Sequence, residues 1–312
     1  MKIAVGISGG VDSAVAAWLL KERGNALIGV TMALGRADES RRIAEAREVA
    51  KRLSISLEVI DLANAWRRDV LEYLQMTYLH GRTPNPCVRC NEYVKFGLLP
   101  QFAFDELGCE FFATGHYARL ENGRLLRGCD HAKDQSYFLY RISKAIRLRT
   151  LLPLGGLTKA KVRDLARQAG FVFADKADSQ DFCGGEVTGL VGAEPREGNI
   201  VTRDGRTLGR HRGFWNYTVG QRKGLGVGGG TPYYVVRLDA ARNEVVVAFR
   251  DEAIGHDLEI ESPVGCCDKS LPVKVRSAGE PRLLKDGILG IASGQSAVFY
   301  DGEEVVGGGI IV

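Results

Sequence analysis

What the sequence lacks narrows the reading first. No apolar run approaches the ~20 residues that cross a bilayer as a helix, so nothing asks for a membrane. The first residues lack the basic, apolar and small-residue order of a secretory signal, and the expected compartment is the cytoplasm. Neither sign of charge is in large excess: 42 Lys and Arg stand against 38 Asp and Glu, a net +4. That balance does not by itself announce a nucleic acid. There is no internal repeat and no low-complexity tail. Seven cysteines in 312 residues of a cytoplasmic chain do not make a disulfide framework.

One further absence lies in the first glycine-rich turn. Ile3, Val5 and Ile7 alternate as a short buried strand. Ser8-Gly9-Gly10-Val11-Asp12-Ser13 follows, and then an apolar helix that Gly24 stops. Strand, glycine turn and helix N-terminus make an anion site, because turn N–H groups point inward and the first helical turn is partly positive. Yet no lysine follows the glycines, which excludes Gly-x-x-x-x-Gly-Lys-Ser/Thr, and the spacing is not Gly-x-Gly-x-x-Gly.

Beyond this turn, strands read at 26–32, 56–61 and 110–114 alternate with helices at 41–53 and 62–78. Such alternation predicts an α/β unit with a parallel sheet covered on both faces. Ligands then bind at the carboxyl ends of the strands. Pro84 and Pro86 argue against regular structure, so Cys87 and Cys90 are expected on a loop of fixed shape, with a helix resuming near Asn91. A thiol at a helix start has its thiolate favoured. Gly115 lies at a strand end, and Lys133, Asp134 and Gln135 form a polar stretch able to touch a phosphate or a base edge. Cys183 lies in a polar, Gly-rich loop. After Pro195 glycine becomes frequent and short strands take over. The expected division is 1–195 for the α/β unit, 196–258 for a small β-rich unit and 259–312 for a unit the size of a small barrel.

Two local runs are basic. From Arg141 to Arg167 eight Lys and Arg meet one acid, Asp164; from Arg203 to Lys223 six meet only Asp204. Such runs are usually solvated faces, but two together raise the prospect of a polyanionic partner.

Several stretches together resemble one family. SGGVDS (8–13) matches the PP-loop of the ATP pyrophosphatases; GRTPNPCVRCN (81–91), ATGHY (113–117), KDQSYFLY (133–140), DSQDFC (178–183), TVGQRKGLG (218–226) and GQSAVFY (294–300) complete a likeness to the tRNA-specific 2-thiouridylases, the MnmA family. The resemblance implies a PP-loop catalytic domain, a small β-rich central domain and a C-terminal β-barrel. It implies that ATP, with Mg²⁺ assumed, adenylates the C2 oxygen of the wobble uridine, after which a cysteine persulfide delivers sulfur. ATP contacts map to Gly6, Ile7, Ser8, Gly9, Gly10, Val11, Asp12, Ser13, Met32 and Gly115. Cys90 and Cys183 map to the catalytic thiols, which end as a disulfide. RNA contacts map to Asn85, Pro86, Cys87, Lys133, Asp134, Gln135 and, in the barrel, Arg276. The implied partners are the tRNA anticodon stem-loop and a persulfide-carrying donor protein, and the implied state is a monomer.

The chain departs from the pattern in three ways. Cys87 stands where many members have Asp; with Cys90 and Cys183 it makes three thiols, the set that would ligate a [4Fe-4S] cluster. Two thiols without metal remain the alternative. The segments after Met32 and after Cys183 are short, and the C-terminal unit is compact, with Ser277 after Arg276. Three other readings therefore stay open: a paralogue thiolating another RNA position, a PP-loop ligase or amidotransferase acting on a small molecule, and a non-catalytic RNA-binding relic.

Overall fold

The computed structural model describes residues 1–174, 187–228 and 230–312. The described residues form two compact units. One comprises Met1–Val70, Cys87–Gln180 and Gly302–Val305; the other comprises Leu71–Pro86, Asp181–Asp301 and Val306–Val312.

The first unit is built on a parallel sheet. Its strands are β1 (Lys2–Gly6), β2 (Ala26–Ala33), β3 (Ser56–Asp61), β4 (Phe111–Ala113) and a short edge strand, Thr150–Leu151. Their order is β3-β2-β1-β4 and then the edge strand. The register between β1 and β2 runs from Lys2↔Ala26 to Gly6↔Val30, and β1 meets β4 at Ile3↔Phe111. Ile3, Ala4 and Val5 are all fully buried. A central parallel strand is covered on both faces, which is why three successive apolar residues suit it. Helix α1 (Val11–Glu22) buries Ala14, Val15, Ala16 and Ala17, and small side chains let it lie close to the sheet. Gly24 ends it at φ +76°, a left-handed C-terminal position that glycine takes without a Cβ penalty. Helix α2 (Glu39–Arg52) presents Ala46, Val49 and Ala50 to the core.

This strand order decides where a ligand binds. From β1 the chain crosses through α1 to β2, whereas β4 lies on the other side of β1. The carboxyl ends of β1 and β4 therefore border the point where the winding reverses, the crevice used by open α/β sheets. The expected α/β unit is present, and its glycine turn lies at that point.

The stretch around the two nearby cysteines differs from expectation. Pro86 does not hold a loop; it opens a helix. Pro86–Arg89 is α-helical, Cys90–Leu98 is wound as a π-helix, and Leu99–Asp105 continues as α-helix. Proline suits the first helical position because its missing N–H would have no partner there and its φ is already helical. The proline that argued against a helix marks its beginning.

The second unit is mainly β. Gly198–Thr202, Thr207–His211, Tyr234–Asp239 and Glu244–Ala248 form a four-stranded sheet. Leu74, Tyr78, Val191, Ile200, Trp215, Val235 and Val247 share one core. A separate core gathers Leu258, Val273, Leu284, Ala297, Phe299 and Ile311. Among the described residues no helix is long and apolar enough to cross a membrane.

Candidate active site

The glycine turn folds on itself through its two serines. The backbone N–H of Ser8 donates to Ser13 Oγ at 3.1 Å, the two hydroxyl oxygens are 3.2 Å apart, and Ser13 Oγ donates to the Gly10 carbonyl at 3.1 Å. Gly9 has φ +77°, and a Cβ there would lie 2.5 Å from Glu45 Cβ of α2, so only glycine fits. Helix α1 has no side-chain cap at Gly10. Its first-turn N–H groups, with the positive end of the dipole, are left for an anion. Gly6 and Ile7 lead into the turn, and Ile7 N–H bonds to Val30 of β2 at 2.9 Å. Met32, half-buried, lies further along β2.

The end of β4 presses on this turn. A Cβ on Gly115 would lie 2.7 Å from the Asp12 carbonyl carbon and 2.8 Å from Ser13 N. Two residues on, Tyr117 donates its hydroxyl to Asp12 Oδ1 at 2.7 Å. Lys159, from the helix Lys159–Gln168, reaches the same carboxylate: Nζ is 2.8 Å from Oδ1 and 2.9 Å from Oδ2. The Lys159 side chain is only 10% exposed, that of Asp12 32%. A lysine this enclosed needs a partner. Asp12 is thus clasped by a phenol and an ammonium at the mouth of the phosphate turn. Tyr117 closes the ATGHY stretch, but nothing in that stretch points to Asp12, and Lys159 belongs to no quoted motif. Lys159 lay unmarked in a basic run, and only the fold brings it 147 residues back to Asp12.

Cys90 lies one helical turn after Pro86 and is buried, at 5% exposure. Its thiol is a neutral one: burial pushes it above the ordinary thiol range, and the charges of Lys95 and Arg36 only partly offset this. The sequence argument for a favoured thiolate is therefore overturned by desolvation. His116 is held neutral too, its imidazole pushed well below the usual range by burial and then by Lys95. Its Nδ1 lies 2.8 Å from Thr114 Oγ1, and its ring meets Phe96 at 5.4 Å between centroids. Phe96, on the Cys90 helix, also meets Phe112 of β4. Cys90 is thereby tied to the carboxyl end of β4, the strand that bears Gly115.

The other sequence candidates fall in varied settings. Cys87 is half-buried in the first turn of its helix. Asn85 is buried, its N–H donating to the Tyr73 hydroxyl at 3.3 Å. Asp134 is buried and engaged internally: it accepts from Gly128 N, Ser136 N and Ser136 Oγ, each at 3.0 Å, and pairs with Arg127. Gln135 joins the Tyr117 backbone, accepting from its N–H at 2.9 Å and donating to its carbonyl at 2.8 Å. Lys133, half-buried, donates its N–H to the Asp130 carbonyl. Arg276 is exposed and donates to the carbonyls of Leu289 and Gly290, at 2.6 and 3.1 Å. Cys183 lies outside the described residues. The six other cysteines are free thiols. Among the described residues no three His, Cys, Asp or Glu side chains are grouped to hold a metal.

With this geometry in view, comparison with known proteins places the chain. Residues 1–184 match the family described as tRNA methyl transferase HUP domain, 191–249 the tRNA methyl transferase PRC-barrel domain and 283–311 the aminomethyltransferase beta-barrel domain. The α/β, PP-loop, central β and C-terminal barrel class expected from the sequence holds. A tRNA-specific 2-thiouridylase MnmA of Endomicrobium trichonymphae is 38% identical over 357 residues, covering 100% of this chain and 99% of its own. The MnmA of Nostoc sp. is 41% identical over 345 residues, covering 99% and 98%. That of Clostridium acetobutylicum is 35% identical, covering 99% of each. These alignments exceed the chain's 312 residues, so the relatives carry insertions relative to it. By identity along its whole length, the chain belongs to the tRNA-specific 2-thiouridylase family, MnmA.

Proposed function

We propose that this chain is an ATP-dependent tRNA uridine 2-sulfurtransferase acting on the wobble uridine. The observation that carries the reading is the uncapped glycine turn at the sheet's reversal point, closed by Gly115, in the same unit as Cys90. The turn suits the phosphates of ATP, with Gly6–Ser13, Met32 and Gly115 around the nucleotide. Lys159 neutralises Asp12, so the turn meets a triphosphate without a bare carboxylate facing it. The uridine C2 oxygen attacks the α-phosphate and pyrophosphate leaves. The outer sulfur of a Cys183 persulfide attacks C2, and the oxygen departs as part of AMP, a far better leaving group. Cys90 attacks the inner sulfur, the S–S bond breaks, sulfur stays on the base and a Cys90–Cys183 disulfide remains.

A protein-borne persulfide donor supplies the sulfur, and the enzyme acts as a monomer on the anticodon stem-loop, whose base turns out of its stack. Residues 1–195 carry the chemistry; 196–258 and 259–312 position RNA, with Asn85, Pro86, Cys87, Lys133 and Arg276 at the contacts. Among the described residues the carboxylates near the turn do not form a built metal site, since Asp12 is taken by Lys159 and Tyr117; Mg²⁺ would enter with ATP as its counter-ion. Cys87 and Cys90 are the described members of the three-thiol set and Cys183 lies outside the described residues; no step is derived through an iron–sulfur cluster. The test is thiolation of unmodified tRNA with ATP, Mg²⁺ and a persulfide source, read as 2-thiouridine by mass spectrometry. The expected result is product with the native chain and none with Cys90→Ser or Cys183→Ser. ATP cleavage without a thiolated base would sink the assignment.

A further inference from the structure

The stretch TVGQRKGLG (218–226) belongs to the family likeness, yet the chemistry above leaves it without a task. Its structure is that of a stiff turn. Gly220 and Gly224 take φ +87° and +74°, backbone that other residues resist. Gln221 braces the turn from inside: its Oε1 accepts from Thr218 N–H at 3.0 Å and its Nε2 donates to the Lys223 carbonyl at 3.0 Å. The backbone is stitched to the sheet by Gly220 N–H to Val235 O at 2.7 Å and Val235 N–H to Gln221 O at 3.0 Å. Leu225, 5% exposed, anchors the far side in the core.

What this braced turn presents is Arg222 and Lys223, both exposed. Their side chains have no ion-pair or hydrogen-bond partner among the described residues, whereas the basic run around them is otherwise largely engaged. Arg203 faces Glu252, Arg210 faces Glu197, and Arg206 donates to the Tyr233 hydroxyl. A flexible loop would leave two cations solvated at little cost. Here glycines, a buried leucine and a bracing glutamine fix the backbone that carries two adjacent cations, so a partner need not order the loop before it meets them.

We propose that Arg222 and Lys223 form a contact for the RNA phosphate backbone, distinct from the base-handling site. The inference rests on the reading of the chain as a tRNA enzyme and assigns that RNA a second foothold. Charge complementarity selects the occupant: two cations side by side suit neighbouring phosphates, and Arg222 can grip one bidentately.

The test is the salt dependence of binding of unmodified tRNA, read by fluorescence anisotropy between 50 and 200 mM salt. Each lost phosphate contact lowers the slope of log K against log salt by about 0.7 to 0.9. The double variant Arg222→Gln, Lys223→Gln is therefore expected to have a slope shallower by roughly 1.4 to 1.8, so that the native chain loses about seven- to twelvefold more affinity across that range. Lys269→Gln removes a charge from the same unit, but one paired with Asp257 at 2.7 Å; its slope is expected to stay within about 0.5 of the native value. Gln221→Ala keeps both charges and loosens the turn, and should weaken binding while leaving the slope nearer the native one. A double variant with the native slope overturns the contact, even if the native chain makes 2-thiouridine. A slope lost equally in Lys269→Gln also overturns it, since net charge alone would then explain the effect. A native chain that binds tRNA with the predicted difference but makes no 2-thiouridine upholds the contact and refutes the reaction.

Discussion

Gly115→Ala is the sharpest probe of the phosphate turn. The added Cβ would lie 2.7 Å from the Asp12 carbonyl carbon, 2.8 Å from its oxygen and 2.8 Å from Ser13 N. All three are backbone atoms in the first turn of α1, so no side chain can swing aside. Ordinary contact begins near 3.4 Å, so β4 and α1 must part by about 0.6 Å, and overpacking of this kind costs about 1–3 kcal/mol. The functional effect should be larger than the structural one. Displacing a reacting group by about 1 Å can cost 100-fold, so tRNA-dependent pyrophosphate release should fall by about 10- to 100-fold. Gly6→Ala is the matched control: its Cβ would meet Phe112 and Thr114 only at 3.6 Å, an ordinary contact. The assays are urea unfolding and pyrophosphate release. If Gly115→Ala stays within about 0.5 kcal/mol of the native chain and turns over at the Gly6→Ala rate, the packing argument is wrong.

Three further outcomes follow from the same geometry. Lys159→Met leaves Asp12 with Tyr117 alone. Removing one partner of a buried pair costs about 3–5 kcal/mol, and with the Asp12 side chain 32% exposed about 1–3 kcal/mol is expected after solvent screening. Adding Asp12→Asn should restore part of it, and a purely additive double variant in urea unfolding would speak against the pair. His116 and His211 are both held neutral, chiefly by burial. Their folded pKa values lie below the unfolded one, so the unfolded chain binds protons first. Stability is then present above about pH 6.5 and falls as pH drops below it, by up to about 1.4 kcal/mol per pH unit for each imidazole. Urea midpoints at pH 7.5, 6.5 and 5.5 should decline, less so in His116→Gln; flat midpoints would contradict the assignment. Buried Cys90 should alkylate at pH 7.5 about tenfold or more slowly than exposed Cys129 and Cys266, as read by peptide mass spectrometry. Equal rates would mean that Cys90 is open at rest.

Much of this was legible in the chain, and what was not has physical causes. The β1–turn–α1 unit could be read because its apolar alternation, glycines and helix are all local. The parallel order followed from alternation with short links. The helix at Pro86 was missed because proline opens a helix as readily as it forbids one, and only position tells the two apart. The pairing of Lys159 and Tyr117 with Asp12 escaped because that partner is more than a hundred residues away from each. The 141–167 basic run read as a solvated face that, with a second run, raised the prospect of a polyanion; in the fold Arg141 pairs with Glu92, Lys159 with Asp12 and Arg167 with Asp164. Charge counted along a sequence does not reveal which charges meet an acid in the fold.

Cys90 illustrates how magnitudes decide such a case. A helix start favours a thiolate by about 0.3–1 kcal/mol at an exposed site. Burial disfavours the charged form by as much as several pKa units, at about 1.4 kcal/mol each. The larger effect wins, and with Lys95 and Arg36 both pulling the other way the thiol still lies above its ordinary range. Under the proposed reaction this order has a use. Cys90 is needed only after the oxygen has been activated and sulfur has reached C2. A thiolate exposed from the start would strip a Cys183 persulfide before any uridine was ready. A neutral, enclosed Cys90 is slow to react at rest, which under that reaction protects the persulfide until the oxygen has been activated.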